Sequence, residues 1–514
     1  MNRKERAFLR ALVAGLATVL MLGCGNGTGV VTTTKPNPNA LTGSLVTFGT
    51  DQPSCDVESF MVTIQSAALV PQDGSAAASI TAPSQPVDFA SLVDFTNILT
   101  FGSVTTGIYN QLTLTLASPV LTYLDTTASP PAPKTLPTCT SSPPSNCTSF
   151  SNGGATDTLN LMFSPPLTIA TGGTAGLVVD FDMRDSVQTG SNGMITGVVD
   201  PQITVSPSVA SGTTLGEADT LYGEVVTPTP ACTTNSGFTG CFSIQTQGGA
   251  GQVLTIQVNS STDFEGDSVT DLAALAPNTF VEVDAIVDTS GNIIAQEVDA
   301  EDQVVTTGQH AGFLGKVIGV TYDGSGNATA FNLLVGHEAW DVTGEIPLES
   351  SLAVTLTGNT HYWTNWHHWN RKAFRFGPQT LGVAERVAVF GDLTAASAGP
   401  PATPATLNAN LVFLRQRNVL GTFAAPLASG SDNATGGFTM QPCGPLFGGK
   451  TITVLTFGDS RFRGVGGLSG LTPGPVINVT GLLFYEQTNG PGTEPTWTAP
   501  TWVMQAKKVH QLPQ

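Results

Sequence analysis

The chain has 514 residues, of which 40% are hydrophobic and only 11% charged, with 57 Gly, 34 Pro and a net charge of −19. That apolar content excludes disorder, and that length excludes a single core, since ordinary domain sizes give about three or four units. The acidic balance argues against nucleic acid as a partner, because phosphate contacts need a basic surface.

Arg3, Lys4, Arg6 and Arg10 precede a largely apolar run from Ala11 to Leu22, followed by Gly23 and Cys24. Such a run spans roughly 18 Å as a helix, short of a bilayer core of about 30 Å, so residues 1–23 read as a signal peptide. "MLGC" resembles the bacterial lipobox, in which the Cys becomes the lipidated first residue. Met21 and Leu22 depart from its usual pattern, which leaves plain secretion open. The resemblance implies a lipoprotein whose Cys24 anchors it at the outer membrane or cell surface, each buried acyl CH₂ contributing about 0.8 kcal/mol. Residues 24–40 form a flexible tether. Export permits disulfides. Cys139 and Cys147 bracket a Pro/Ser loop and Cys232 and Cys241 a Gly/Thr loop, so both pairs read as local staples, whereas Cys55 and Cys443 have no obvious mates.

Residues 41–210 alternate apolar and polar residues between turn formers, as in "LTGSLVTFGT", "FMVTIQSAALV", "GIYNQLTLTLASPVLTYL", "TLNLMFSPPLTI" and "TAGLVVDFDM". Strands of this length predict an antiparallel β-sandwich. "GSLVTFGTDQP", the "VDF" at 87–89, "GIYNQLTLTL" and "LVVDFDMRDSV" are similar to an N-terminal domain of many bacterial lipoproteins. That family has no assigned function, and the resemblance implies a transthyretin-like sandwich.

A repeat follows. "LYGEVV", "FLGKVIGV" and "VLGTFAA" each carry a Gly after an apolar residue, at Gly223, Gly315 and Gly421. Each unit then reaches a small polar residue two before an aromatic, at Thr262/Phe264, Thr360/Tyr362 and Ser460/Phe462. The spacing predicts three repeats, 217–305, 308–416 and 418–514, whose short alternating strands close into small barrels. The units resemble an uncharacterised bacterial domain repeated in exported proteins, which implies an OB-like barrel. The chain is therefore expected to be all-β, a sandwich followed by three barrel-like repeats. From Cys24 to Thr306 there are 26 acidic and 3 basic residues, and from Thr307 onward 11 and 12. The first repeat should dock electrostatically on basic surface of the second.

"HYWTNWHHWNRKAFRF" at 361–376 is the densest chemistry. No carboxylate lies between Glu349 and Glu385 to act with its histidines as acid or base, and a metal site would need His361, His367 and His368 to converge. A surface for a glycan or protein partner would use Trp363, Trp366 and Trp369 for stacking and Arg371, Lys372 and Arg375 for charge. The plainer reading has Trp363 filling a core while Trp366 and Trp369 cap the barrel or meet a neighbouring unit. Phe457-Gly458-Asp459-Ser460 superficially matches a hydrolase nucleophile block, but His510 lacks an Asp three residues before it. In the acidic first repeat Asp263, Glu265 and Asp267 are calcium candidates, against a default of solvated strand faces. These readings combine into a non-catalytic exported envelope protein, binding or scaffolding glycan or protein partners, with no cofactor. The alternatives are a purely structural spacer, or a metal-dependent or Ser-type hydrolase.

Overall fold

Strict alternation gives nearly every strand one face for a core and one for a neighbour or for solvent. The computed structural model describes residues 41–512, leaving out 53, 56, 81, 83–85, 93–96, 126, 128–130, 141–145, 191–193, 227–236, 247–252, 266–268, 301–309, 341–345, 365–374, 397–403, 428–434, 459 and 488–499. The architecture is all-β, as expected: two packed N-terminal sheets with a small three-stranded one beside them, and three closed barrels. No helix among the described residues is long and apolar enough to cross a membrane.

In the N-terminal module one sheet orders Ile203–Pro207, Thr174–Asp182, Thr42–Gln52 and Asn97–Thr105. The other is built on the long antiparallel pair Val57–Pro71 and Gly107–Asp125, extended by Thr156–Ile169 and Ala132–Leu136. Between them lie Phe60, Phe89 and Phe181, with the Phe89 and Phe181 rings 4.8 Å apart. The antiparallel expectation is corrected at the short contact of Ser149–Phe150 with Ile195–Val199, which is parallel, and at the long one of Thr42–Gln52, which runs parallel to Thr174–Asp182. Those strands are joined by a long excursion through the other sheet, so no hairpin dictates their direction.

Each barrel repeats one strand plan. The first uses Thr214–Val225, Gly240–Thr246, Val253–Val258, Asp263–Glu265, Phe280–Asp288 and Ile293–Ala300. The second uses His310–Tyr322, Ala328–Trp340, Ser351–Thr355, His361–Thr364, Arg386–Thr394 and Thr406–Arg415. The third uses Arg417–Pro426, Gly436–Pro442, Ile452–Thr456, Arg461–Arg463, Val476–Glu486 and Thr501–Gln511. In every case the first strand pairs with the second and fifth, and the third closes onto the sixth in parallel. The short fourth strand continues along the sixth beyond the third and forms the free end of the sheet. This is the five-stranded closure that the OB-like resemblance implied.

The modules are packed, not strung out. Val46, Phe48 and Ile98 of the N-terminal module join the core of the first barrel. Leu455, Leu482, Phe484 and Val503 of the third barrel pack on the second. Tyr222 and Phe280 of the first meet Leu314 and Ala388 of the second. Cys55 and Cys443, unassigned from sequence, form a disulfide that ties the N-terminal module to the third barrel across 388 residues. Cys139–Cys147 pairs locally as expected. Cys241 is also disulfide-bonded, while its expected mate Cys232 lies outside the described residues.

Candidate functional site

The fourth strand of each barrel begins at the same hydrogen-bonded junction. The hydroxyl of Thr262, Thr360 or Ser460 donates to the carbonyl of Ala295, Ala409 or Ala506 at 2.8, 2.8 and 2.6 Å. The same hydroxyl accepts the backbone N–H of Asn259, Thr357 or Phe457. The Ser460 hydroxyl of the apparent nucleophile block is thus buried and occupied in holding a strand.

From that junction the side chains alternate. In His361–Thr364, Tyr362 turns inward and meets Phe376 edge-to-face at 5.7 Å, and its burial pushes the phenol up to about 12. Thr364 is buried, whereas His361 and Trp363 face out and Trp363 is 42% exposed. Filling of the core by Trp363 is therefore overturned: period two puts Tyr362 inside and Trp363 outside. Among the described residues His361 meets no carboxylate. Arg375, also exposed, marks where the described chain resumes, its carbonyl accepting the Thr380 hydroxyl at 2.9 Å. Trp366, Trp369, His367, His368, Arg371 and Lys372 lie outside the described residues, as do Cys24 and Asp267.

The register places His361 beside Leu411 and Trp363 beside Phe413, with Phe390 and Ala388 next across the sheet. The equivalent positions of the first barrel hold Asp263, Glu297 and Asp284 in one row and Glu265, Asp299 and Glu282 in the other. In the third they hold Arg461, Lys508 and Thr480, then Arg463, His510 and Asn478. One outward patch is thus acidic, aromatic and basic in the three successive barrels. Reading the repeats as aligned strings showed the shared strand but not this patch, which needs the pairing of three strands.

The acidic patch is gripped from within the chain. Like charges opposite each other on neighbouring strands repel, so each cross-strand pair needs a cation. Arg415 of the second barrel donates to Asp299 at 2.9 Å and to Glu282, which also accepts the Tyr222 hydroxyl at 2.7 Å. Lys507 of the third barrel reaches Asp284 at 3.1 Å and Glu297 at 3.3 Å. The four carboxylates, Arg415 and Lys507, with Phe413 and Leu482, line a small cleft. Burial, and then the neighbouring carboxylates, hold Glu297 up at about 7 against the pull of Lys507. The expected docking of the first barrel on the second is present and extends to the third, where Arg463 also pairs with Glu217. Among the described residues no group of three or more His, Cys, Asp or Glu is arranged to hold a metal; of the calcium candidates Asp263 is exposed on its strand, and Asp267 lies outside the described residues. Of the aromatic patch, Ala388, Phe390 and Phe413 are turned toward the first barrel, and Trp363 with His361 forms its open rim.

Sandwich and barrels define an all-β protein of stacked modules, and two of its segments fall in uncharacterised families. Residues 42–196 match the model described as Domain of unknown function (DUF4382), and residues 250–299 match Domain of unknown function (DUF5666). No curated protein is matched by the chain. Among solved structures, "drosophila Unr CSD456" is similar at 10% identity, covering 58% of this chain and 98% of that one, with a TM-score of 0.14.

Proposed function

We propose that the chain is a non-catalytic lipoprotein of a bacterial envelope, anchored through Cys24, which presents the rim His361/Trp363 to a glycan or protein partner. The observation that carries this reading is Trp363: a large ring 42% exposed on a strand whose alternate residues, half-buried Tyr362 and buried Thr364, turn inward. The exposed part of the indole forgoes roughly 25 cal/mol per Å² of apolar surface, and a partner ring or sugar face recovers it. Exposed Arg375 adds charge next to Phe376, which packs on Tyr362 of the same strand. A hydrolase reading draws no support from Ser460, whose hydroxyl is committed to the fold.

Trp363→Ala tests the binding site. Titration against a glycan panel and envelope extracts should show binding by the intact protein and at least tenfold weaker binding by the variant, with unchanged melting. Equal binding by both removes this rim from the proposal. Fatty-acid labelling that persists in Cys24→Ala removes the anchor. The spacer reading rests on a different observation, the disulfide and packed seams that hold four modules together. It is favoured if no ligand binds while modules retain their fixed spacing.

A further inference from the structure

The seam between the second and third barrels encloses a carboxylate that the binding surface does not use. Glu385 is fully buried. Its Oε1 accepts the backbone N–H of Tyr485 from the third barrel at 2.9 Å, while its Oε2 has no hydrogen-bond partner. Beside Tyr485 stands Glu486, itself 7% exposed. The seam is otherwise tight: Gly382 abuts Tyr485, and the Trp502 indole N–H donates to Val383 O at 2.8 Å.

A buried carboxylate oxygen without a donor is tolerable as a hydroxyl and costly as an anion. Burial weighs most against the anion, the backbone amides of Gly382 and Tyr485 favour it, and the charged neighbours add smaller pushes in both directions. Glu486, from the third barrel, opposes ionisation of Glu385, and Arg417, at the start of that barrel, favours it. Arg417 is itself engaged electrostatically by Glu58 of the N-terminal module, with Arg386 nearby, and Lys316 pairs with that same Glu58. Tyr322, from the second barrel, has its hydroxyl held neutral by burial first and then by Glu385 and Tyr485. Burial is the leading influence on both acids and outweighs Arg417, so Glu385 stays well above the usual carboxylate range and Glu486 is pushed up to about 7.

We propose that Glu385 is a proton-operated latch: as a neutral acid it lets the second and third barrels close on each other, and as an anion it must be hydrated, which opens the seam. The sign follows from linkage. Both acids hold protons in the closed seam that the open seam releases. Closure is therefore fullest below the ordinary carboxylate range and drains as pH rises through the raised values. An exported protein meets external pH directly, so this seam would be firm in acid surroundings and loose in alkaline ones.

Hydrogen exchange of the two donors at the seam, the Tyr485 amide and the Trp502 indole, tests this in the full chain. After correction for base catalysis of exchange itself, opening should rise between pH 5 and pH 7 by up to about tenfold per pH unit for each proton retained. Glu385→Gln, whose oxygen can still accept from Tyr485, should flatten that slope and keep the seam closed at pH 8. Protection that is flat with pH in the unaltered protein overturns the latch, and this measurement needs no variant. A slope unchanged in Glu385→Gln overturns it too. Should that variant misfold, Glu486→Gln must lessen the slope, and an unchanged slope there counts against the latch equally.

Discussion

Gly223, Gly315 and Gly421 show what the repeated glycine is for. A Cβ at any of them would overlap the carbonyl of Gln245, Leu334 or Gln441 on the neighbouring strand, so only glycine lets the first two strands approach. The repeated hydroxyl has an equally local reason, since one oxygen satisfies a carbonyl of the sixth strand and an amide of the preceding turn. Thr360→Val keeps the shape and removes both bonds, and should cost about 1–3 kcal/mol in chemical denaturation. Ser460→Ala should cost a similar amount, whereas loss of an unused serine would cost almost nothing. Asp323 likewise accepts the amides of Ser325 and Asn327, and Gly326 takes a φ of +81°, so "DGSGN" turns the chain between the first two strands of the second barrel. Features of this scale were readable because their cause lies within a few residues. Trp363 was left open between core and partner surface because alternation gives two faces without naming which one is the core.

At the scale of strands, the two carboxylate pairs of the first barrel were visible as "VEVDA" and "QEVDA" but not as a grid. Glu282 opposes Asp299, and Asp284 opposes Glu297, only once the bulged register is set. Arg415, 2% exposed, bridges one pair. Replacing it by Met should destabilise the protein by about 3–5 kcal/mol in denaturant titration, because two carboxylates would stay buried without their cation. Adding Glu282→Gln to that variant should recover part of the loss; no recovery would mean that the guanidinium acts through packing on Phe413, over whose ring it lies at 4.9 Å.

At the scale of the molecule, the Cys55–Cys443 bridge encloses 388 residues of chain. On the chain-entropy account a loop so long contributes on the order of 5 kcal/mol. Cys55→Ser with Cys443→Ser should therefore lower the melting temperature of the full chain and free the N-terminal module to separate, seen as larger dimensions in small-angle scattering. Unchanged dimensions would assign that seam to packing alone. The seams also share a proton dependence. Asp88, buried with Glu349 of the second barrel near it, is pushed up to about 7, as Glu297 is between the first and third barrels. Both hold protons in the native state that the unfolded chain releases, so their contribution is full below about pH 4 and lost as pH rises toward 7. The urea midpoint should fall between pH 5 and pH 7.5 and level off above, and Asp88→Asn should shallow that fall. A midpoint that rises over this range would contradict the assignment.

Sequence by itself determined that the chain is all-β, that its last part repeats three times, and which glycines and hydroxyls recur, since each follows from periodicity or from a contact local to one hairpin. Tertiary structure alone decided the parallel pairs in the N-terminal module, the mate of Cys55, the outward turn of Trp363 and the gripping of the first barrel by Arg415 and Lys507. Each of these depends on which distant strand lies alongside. Local alternation is blind to that choice, because it is settled by how the modules bury their faces together.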